Sequence, residues 1–148
     1  YGDYFAKEFS KRRLTASNLN TALPKKQQMM QDAITRYEQA ADYGMLEFTT
    51  KSSYKIASLY QEMATDLRTM KTPAGLSDQE AAMFSNLVEQ QAAPMIELAI
   101  SVHNSNAEQG WKGFYNEWID KSFQELAALQ PARFNKYEEQ KRYGDEIR

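Results

Sequence analysis

The sequence predicts an all-α fold, and three observations carry that prediction. Sustained period-two alternation is missing, and the short β-branched groups Thr49-Thr50 and Ile100-Ser101-Val102 sit inside helical patterns. Apolar residues recur instead at three- and four-residue intervals through most of the chain. Turn-forming residues then cut the 148 residues into about five helical pieces.

The first piece is expected from near Asp3 to near Asn20, with Phe5 and Phe9 one turn apart and Leu14 extending their face. Pro24 is expected to open the second as a first-turn proline, where its missing amide costs nothing. Met30, Ala33, Ile34, Tyr37, Ala40 and Ala41 continue at helical spacing, and Gly44 reads as a C-terminal cap. The third piece starts at about Thr49 or Thr50 and carries Tyr54, Ile56, Ala57, Leu59, Tyr60, Met63, Ala64 and Leu67. "KTPAGLS" is the clearest break, and Ser77-Asp78-Gln79-Glu80 after it has capping-box form.

The fourth piece places Phe84, Leu87, Val88, Ala92, Met95, Leu98, Ala99 and Val102 on one face, with Ile96 and Ile100 on another. Being apolar on more than one side, it is expected to be the central, most buried helix. Pro94 deletes the bond to the Gln90 carbonyl and should bend it. The fifth begins past Gly110 or Gly113 and runs to about Leu129, carrying Tyr115, Trp118, Ile119, Phe123 and Leu126. "QPARF" stops it, and residues 136–148 read as a charged tail or a last short helix of the same single domain, 1–148.

Composition excludes several classes of function. With 42% apolar residues, the chain can build a core and is not of the disordered type. A formal charge of −2 leaves no basic footprint for nucleic acid. Residues 1–75 carry 11 Lys/Arg against 8 Asp/Glu and residues 76–148 carry 7 against 12, an asymmetry that suits a polar partner surface. The absence of cysteine removes disulfides, thiolate catalysis and cysteine-ligated zinc. No apolar run approaches bilayer length. The opening Tyr-Gly-Asp reads as part of a longer protein, so an excised solenoid end could pair with a second copy through its uncovered face.

Catalytic patterns are lacking: no phosphate loop, no G-x-S-x-G and no paired histidines. His103 is the only histidine, and Glu97, six residues earlier, points to another side of the helix. It reads as a packed or capping imidazole, with no cofactor or metal expected. Glu89 and Glu97 are too far apart for a glycosidase or di-iron carboxylate pair. Trp111, Phe114, Tyr115 and Trp118 fall at i, i+3, i+4 and i+7, a spacing that suits a core stripe or a stacking platform for sugars or bases. Trp111, between Gly110 and Gly113, is the member expected to be most exposed. Asn104, Asn106, Arg133 and Asn135 could supply donors to a bound peptide, although asparagines in loops more often cap turns. Lys11, Arg12, Arg13, Lys25 and Lys26 read as a solvated face, with docking to an acidic segment as the alternative.

"AITRYEQAADYG" orders small and large residues as Ala33, Tyr37, Ala40, Ala41, and "YKIASLY" sets small Ala57 between Ile56 and Tyr60. Stacked antiparallel helix pairs need this grammar, because each pair leaves a face that the next must cover. In these stretches the chain resembles the tetratricopeptide repeat superfamily, with longer helices and a period broken by the 70–77 loop. "TTKSSYKIASLYQEMATDL", "PAGLSDQE", "EQQAAPMIELAISVHNSN" and "YNEWIDKSFQELAALQPARF" are similar to the C-terminal helical region of large bacterial tetratricopeptide proteins. Pro94, His103, Asn106, Trp118, Pro131, Ala132 and Arg133 carry that likeness. The resemblance implies an α-solenoid scaffold or adaptor of the Gram-negative periplasm or envelope, associated with TonB-type or gliding-motility systems, with no catalytic residues to carry over. The expected partner site is His103, Asn104, Asn106, Trp111, Tyr115 and Arg133, contacting a peptide or protein. The alternative is a glycan or small-ligand module built on the Trp111–Trp118 aromatic cluster.

Overall fold

A computed structural model describes residues 2–15 and 18–130. They form five helices and no strand: α1 (Gly2–Lys11), α2 (Leu19–Ala41), α3 (Leu46–Arg68), α4 (Asp78–Trp111) and α5 (Glu117–Leu129). The fold is all-α. Residues 1, 16, 17 and 131–148 lie outside the described residues, and with them the expected tail at 136–148.

Cross-helix contacts set the directions. The Tyr37 hydroxyl donates to Asp3 at 2.7 Å while Lys26 reaches the Phe9 carbonyl, so α1 and α2 are antiparallel. Lys26 also meets Asp66, and Thr49 lies by Ala41, which makes α2 and α3 antiparallel. Arg68 with Glu89, Gln61 with His103 and Thr50 with Asn106 do the same for α3 and α4. Thr50 with Asn116 and Gln61 with Glu125 run α3 and α5 parallel. The helix that packs against α2, α4 and α5 is therefore α3.

This corrects the expectation that α4 is the most buried helix. Its inner face does pack: Ala92, Ala99, Ala107 and Gly110 are buried, and these small residues let α4 approach its neighbours closely. Met83, Leu87 and Leu98 are exposed at 58%, 59% and 42%. At 34 residues α4 is about 51 Å long. The 13 residues of α5 reach about 20 Å, and pack along α4 from Ile96 to Gly110. Leu87 and Leu98, expected on the packed face with Phe84 and Val88, turn outward, and among the described residues no element lies over them, while α5 covers the other face at Ile96 and Ile100.

The cap of α4 forms as expected, with the Ser77 hydroxyl accepting from the Glu80 N–H at 3.2 Å. The helix continues unbroken through Pro94, whose ring lies on the exposed side where water can reach the freed carbonyl. Three boundaries differ from expectation. α1 ends at Lys11 rather than near Asn20, and α2 begins at Leu19, so Pro24 sits in its second turn and costs a helical hydrogen bond. α3 begins at Leu46, one turn earlier than expected. Gly44, with φ of +72°, makes the intervening turn in the left-handed region that favours glycine. Gly110 does not break α4. It lies inside the helix, where an added Cβ would meet Phe123 at 2.7 Å, so glycine is what permits the α4–α5 crossing.

The early end of α1 has a physical cause in Lys26. That side chain is fully buried, not part of a solvated face: Nζ donates to the Phe9 carbonyl at 3.0 Å and the Arg12 carbonyl at 2.6 Å. It also pairs with Asp66 at 2.5 Å and lies 4.1 Å from the Phe9 ring centre. A lysine from another helix thus satisfies carbonyls that α1 leaves open at its end. The larger core joins α1, α2, α3 and the first half of α4 around Phe9, Ile34, Leu59, Met63 and Leu67. A smaller one, Ile100, Ala107 and Leu126, joins α4 to α5. Ala57 is fully buried between partly buried Ile56 and Tyr60, as the small–large pattern requires.

Candidate functional site

The expected site region lies where α4 turns into α5. Asn116 stops the turn: its Oδ1 accepts from the N–H groups of Trp118 and Ile119, each at 3.0 Å, and its Nδ2 donates to Thr50 Oγ1 at 2.9 Å. One asparagine therefore caps α5 and ties its start to α3. Because α4 ends at Trp111 and α5 begins at Glu117, the four aromatics do not share one helical stripe. Trp111 closes α4, Phe114 and Tyr115 stand in the turn, and Trp118 belongs to α5.

Beneath the turn is a closed polar network. Asn106 Nδ2 donates to the Thr50 carbonyl at 2.8 Å and to Ser122 Oγ at 2.9 Å. Ser122 Oγ is 3.1 Å from His103 Nδ1, and His103 Nε2 is 2.7 Å from Gln61 Oε1. Gln61 Nε2 in turn donates to Glu125 at 2.9 Å. The amide oxygen of Gln61 can only accept, which places the imidazole proton on Nε2 and leaves Nδ1 to accept from the serine hydroxyl. Burial lowers the His103 pKa to about 4, with the Glu125 carboxylate opposing part of that shift. The imidazole is held neutral and fully bonded.

A serine hydroxyl directed at a histidine nitrogen is half of a nucleophile–base pair, but both side chains have no exposed surface. No reacting group could reach them without opening the α3–α4–α5 contact. His103, Ser122, Asn106 and Thr50 act as the polar lock of three helices. His103 and Asn106, expected to touch a partner, belong to this interior, and Asn106 is 1% exposed. Among the described residues no three His, Asp or Glu side chains group to hold a metal.

The remaining expected residues divide. Trp111 and Tyr115 are exposed, at 49% and 71%, with Phe114 between them in chain order. Trp111 rests edge-on against Phe123, 6.3 Å between ring centres. Asn104 is half-buried, and its Oδ1 has no hydrogen-bond partner among the described residues. Arg133, like Pro131, Ala132 and Asn135, lies outside them. Trp118 is half-buried against Tyr54, at 5.5 Å, with Lys51, Lys55 and Lys121 over its ring, and so does not join the exposed corner.

Two surfaces were not anticipated. A groove of about 660 Å³ is lined by Gly2, Asp3, Tyr37, Tyr43, Phe48 and Lys51, at the end of the bundle where α3 begins. The other is the outer ridge of α4, with Met83, Leu87, Pro94 and Leu98 at intervals of four, seven and four. Those intervals are legible in the sequence, and only burial shows that the stripe is uncovered.

No protein-family model matches this chain, and neither a curated protein nor a solved structure matches it. Among the described residues, no helix is long and apolar enough to cross a membrane.

Proposed function

We propose that this chain is a non-enzymatic protein–protein interaction scaffold, built in the manner of a tetratricopeptide α-solenoid. The observation that carries the reading is uncovered apolar surface on ordered helix. Met83, Leu87 and Leu98 line α4, and Trp111, Phe114 and Tyr115 mark its far end. Large apolar side chains left exposed along the outside of a packed helical domain are a common mark of a docking site. Successive antiparallel helices, with α3 and α5 running parallel, support the solenoid reading, as does the fully buried Ala57 between larger neighbours. A place in a Gram-negative envelope assembly rests on the sequence resemblance alone. The titratable group best suited to acid–base work, His103, is committed to the polar lock.

The test is affinity capture from envelope extracts, with wild type beside Trp111→Ala and Tyr115→Ala. Both side chains are exposed, so the fold should survive, and a partner captured by wild type should weaken or vanish in the variants. A wild type that retains no protein, or variants that retain every partner, would overturn the reading. A second reading, a glycan or small-ligand module, draws on the exposed rings of Trp111 and Tyr115. It would be favoured by oligosaccharide binding that quenches Trp111 fluorescence in a chain that captures no protein.

A further inference from the structure

The chemistry of the α4 ridge specifies what it would bind, on the footing of the scaffold reading. Met83, Leu87, Pro94 and Leu98 share one face, and Met83 to Leu98 spans about 22 Å, four helical turns. The charges along it are of one sign. α4 contains Asp78, Glu80, Glu89, Glu97 and Glu108 and not a single lysine or arginine. Arg68 from α3 takes Glu89 in a two-bonded pair, at 3.0 and 2.6 Å, on the side facing α3. Glu80 and Glu97 are exposed and stand on the ridge itself: Glu80 lies three residues before Met83, and Glu97 three after Pro94.

We infer that the outer face of α4 docks an amphipathic helical segment of a partner protein. The segment would carry an apolar stripe at i, i+4, i+7 and i+11 flanked by lysine or arginine. Leu and Met side chains at these intervals offer the ridge that a helix's apolar stripe packs against. The two carboxylates select a basic flank, and reject an acidic one by like-charge repulsion. The same charges disfavour a second copy of this chain. Two-fold pairing of the ridge would bring carboxylates from both copies together with no basic residue of α4 to meet them. With four apolar contacts and two exposed charges, the contact is of the weak, reversible class.

The test uses two labelled synthetic helical peptides of about 16 residues, enough for four turns. They share the leucine stripe and differ in carrying lysine or glutamate on its flanks. Binding to the whole chain is read by fluorescence anisotropy at low and physiological salt, with light scattering on the free chain. The lysine peptide should bind at least about tenfold tighter than its glutamate twin, with the preference shrinking as salt rises. Leu87→Ser with Leu98→Ser should cost about tenfold for the lysine peptide at an unchanged circular-dichroism melt. Glu80→Gln with Glu97→Gln should erase most of the preference. Equal binding of the two peptides, full binding by the serine variant, or a stable dimer abolished by Leu87→Ser would each overturn the inference. Trp111-dependent capture that persists through such a failure would leave the scaffold reading standing. Peptide discrimination with no captured protein would overturn the scaffold reading alone.

Discussion

Replacing Lys26 by methionine isolates the contribution of a fully buried ammonium group. Methionine keeps the length and apolar stem of lysine while removing its ammonium. The ammonium bonds the Phe9 and Arg12 carbonyls and Asp66, and faces the Phe9 ring. Losing one partner of a buried bond costs about 1–3 kcal/mol for the group left unpaired. The Phe9 carbonyl bond is buried and should cost most; the Arg12 carbonyl is nearer the surface. The Asp66 side chain is 28% exposed and recovers part of its hydration. The cation–π contact adds about 0.5–1 kcal/mol. Together these give about 3–5 kcal/mol, in the range for breaking a buried ion pair by removing one member. Urea denaturation followed by circular dichroism measures it, and hydrogen exchange should show α1 amides losing protection before those of α3. A Lys26→Met chain within about 1 kcal/mol of wild type, with α1 still protected, would refute the role given to this lysine.

His103 makes stability depend on pH in a definite direction. Its folded pKa near 4 lies below the ordinary 6.5, so the unfolded chain binds the proton first. Stability is full above pH 6.5 and declines as pH falls toward 4, by up to about 3 kcal/mol. His103→Gln should flatten that window, leaving the acid loss below it to carboxylates held low by partners, such as Asp3 beside Tyr37. Melting profiles of both chains from pH 4 to 7 would decide. Gly110→Ala places a methyl against Phe123 and should destabilise by about 1–3 kcal/mol, read from the urea midpoint. Gly75→Ala, at a φ of +82° with nothing within 4 Å, is strained by backbone alone and should cost about 1 kcal/mol.

The legible part of this fold was what depends on local spacing. The serine cap of α4, the buried Ala57 and the end of α5 at Leu129 all follow from side-chain period and capping chemistry. What escaped depends on contacts far apart in sequence. Lys26 reads as solvated because nothing local announces that Asp66, 40 positions on, will meet it. The two-sided apolar pattern of α4 reads as double burial, yet α5 covers only the face of Ile96, Ile100 and Ala107, and Leu98, within the same span, stays exposed on the side turned away from it. Of the expected partner site, His103 and Asn106 became interior because Thr50 and Ser122 approach from other helices. Trp111 is exposed, as its place between Gly110 and Gly113 suggests, but it is not the most exposed of the four aromatics: Tyr115, expected on helix five, stands in the turn and is more exposed.

The role of the α4 surface is tested most directly by a benzophenone side chain placed at Leu87, and separately at exposed Gln28 on α2, in cells that make the protein. Irradiation should yield a discrete protein adduct from position 87 and none from position 28. The position-87 adduct should fade when Glu80 and Glu97 are changed to lysine. An adduct from position 28 alone, or none from position 87 in a folded and abundant protein, would contradict a docking role for this helix.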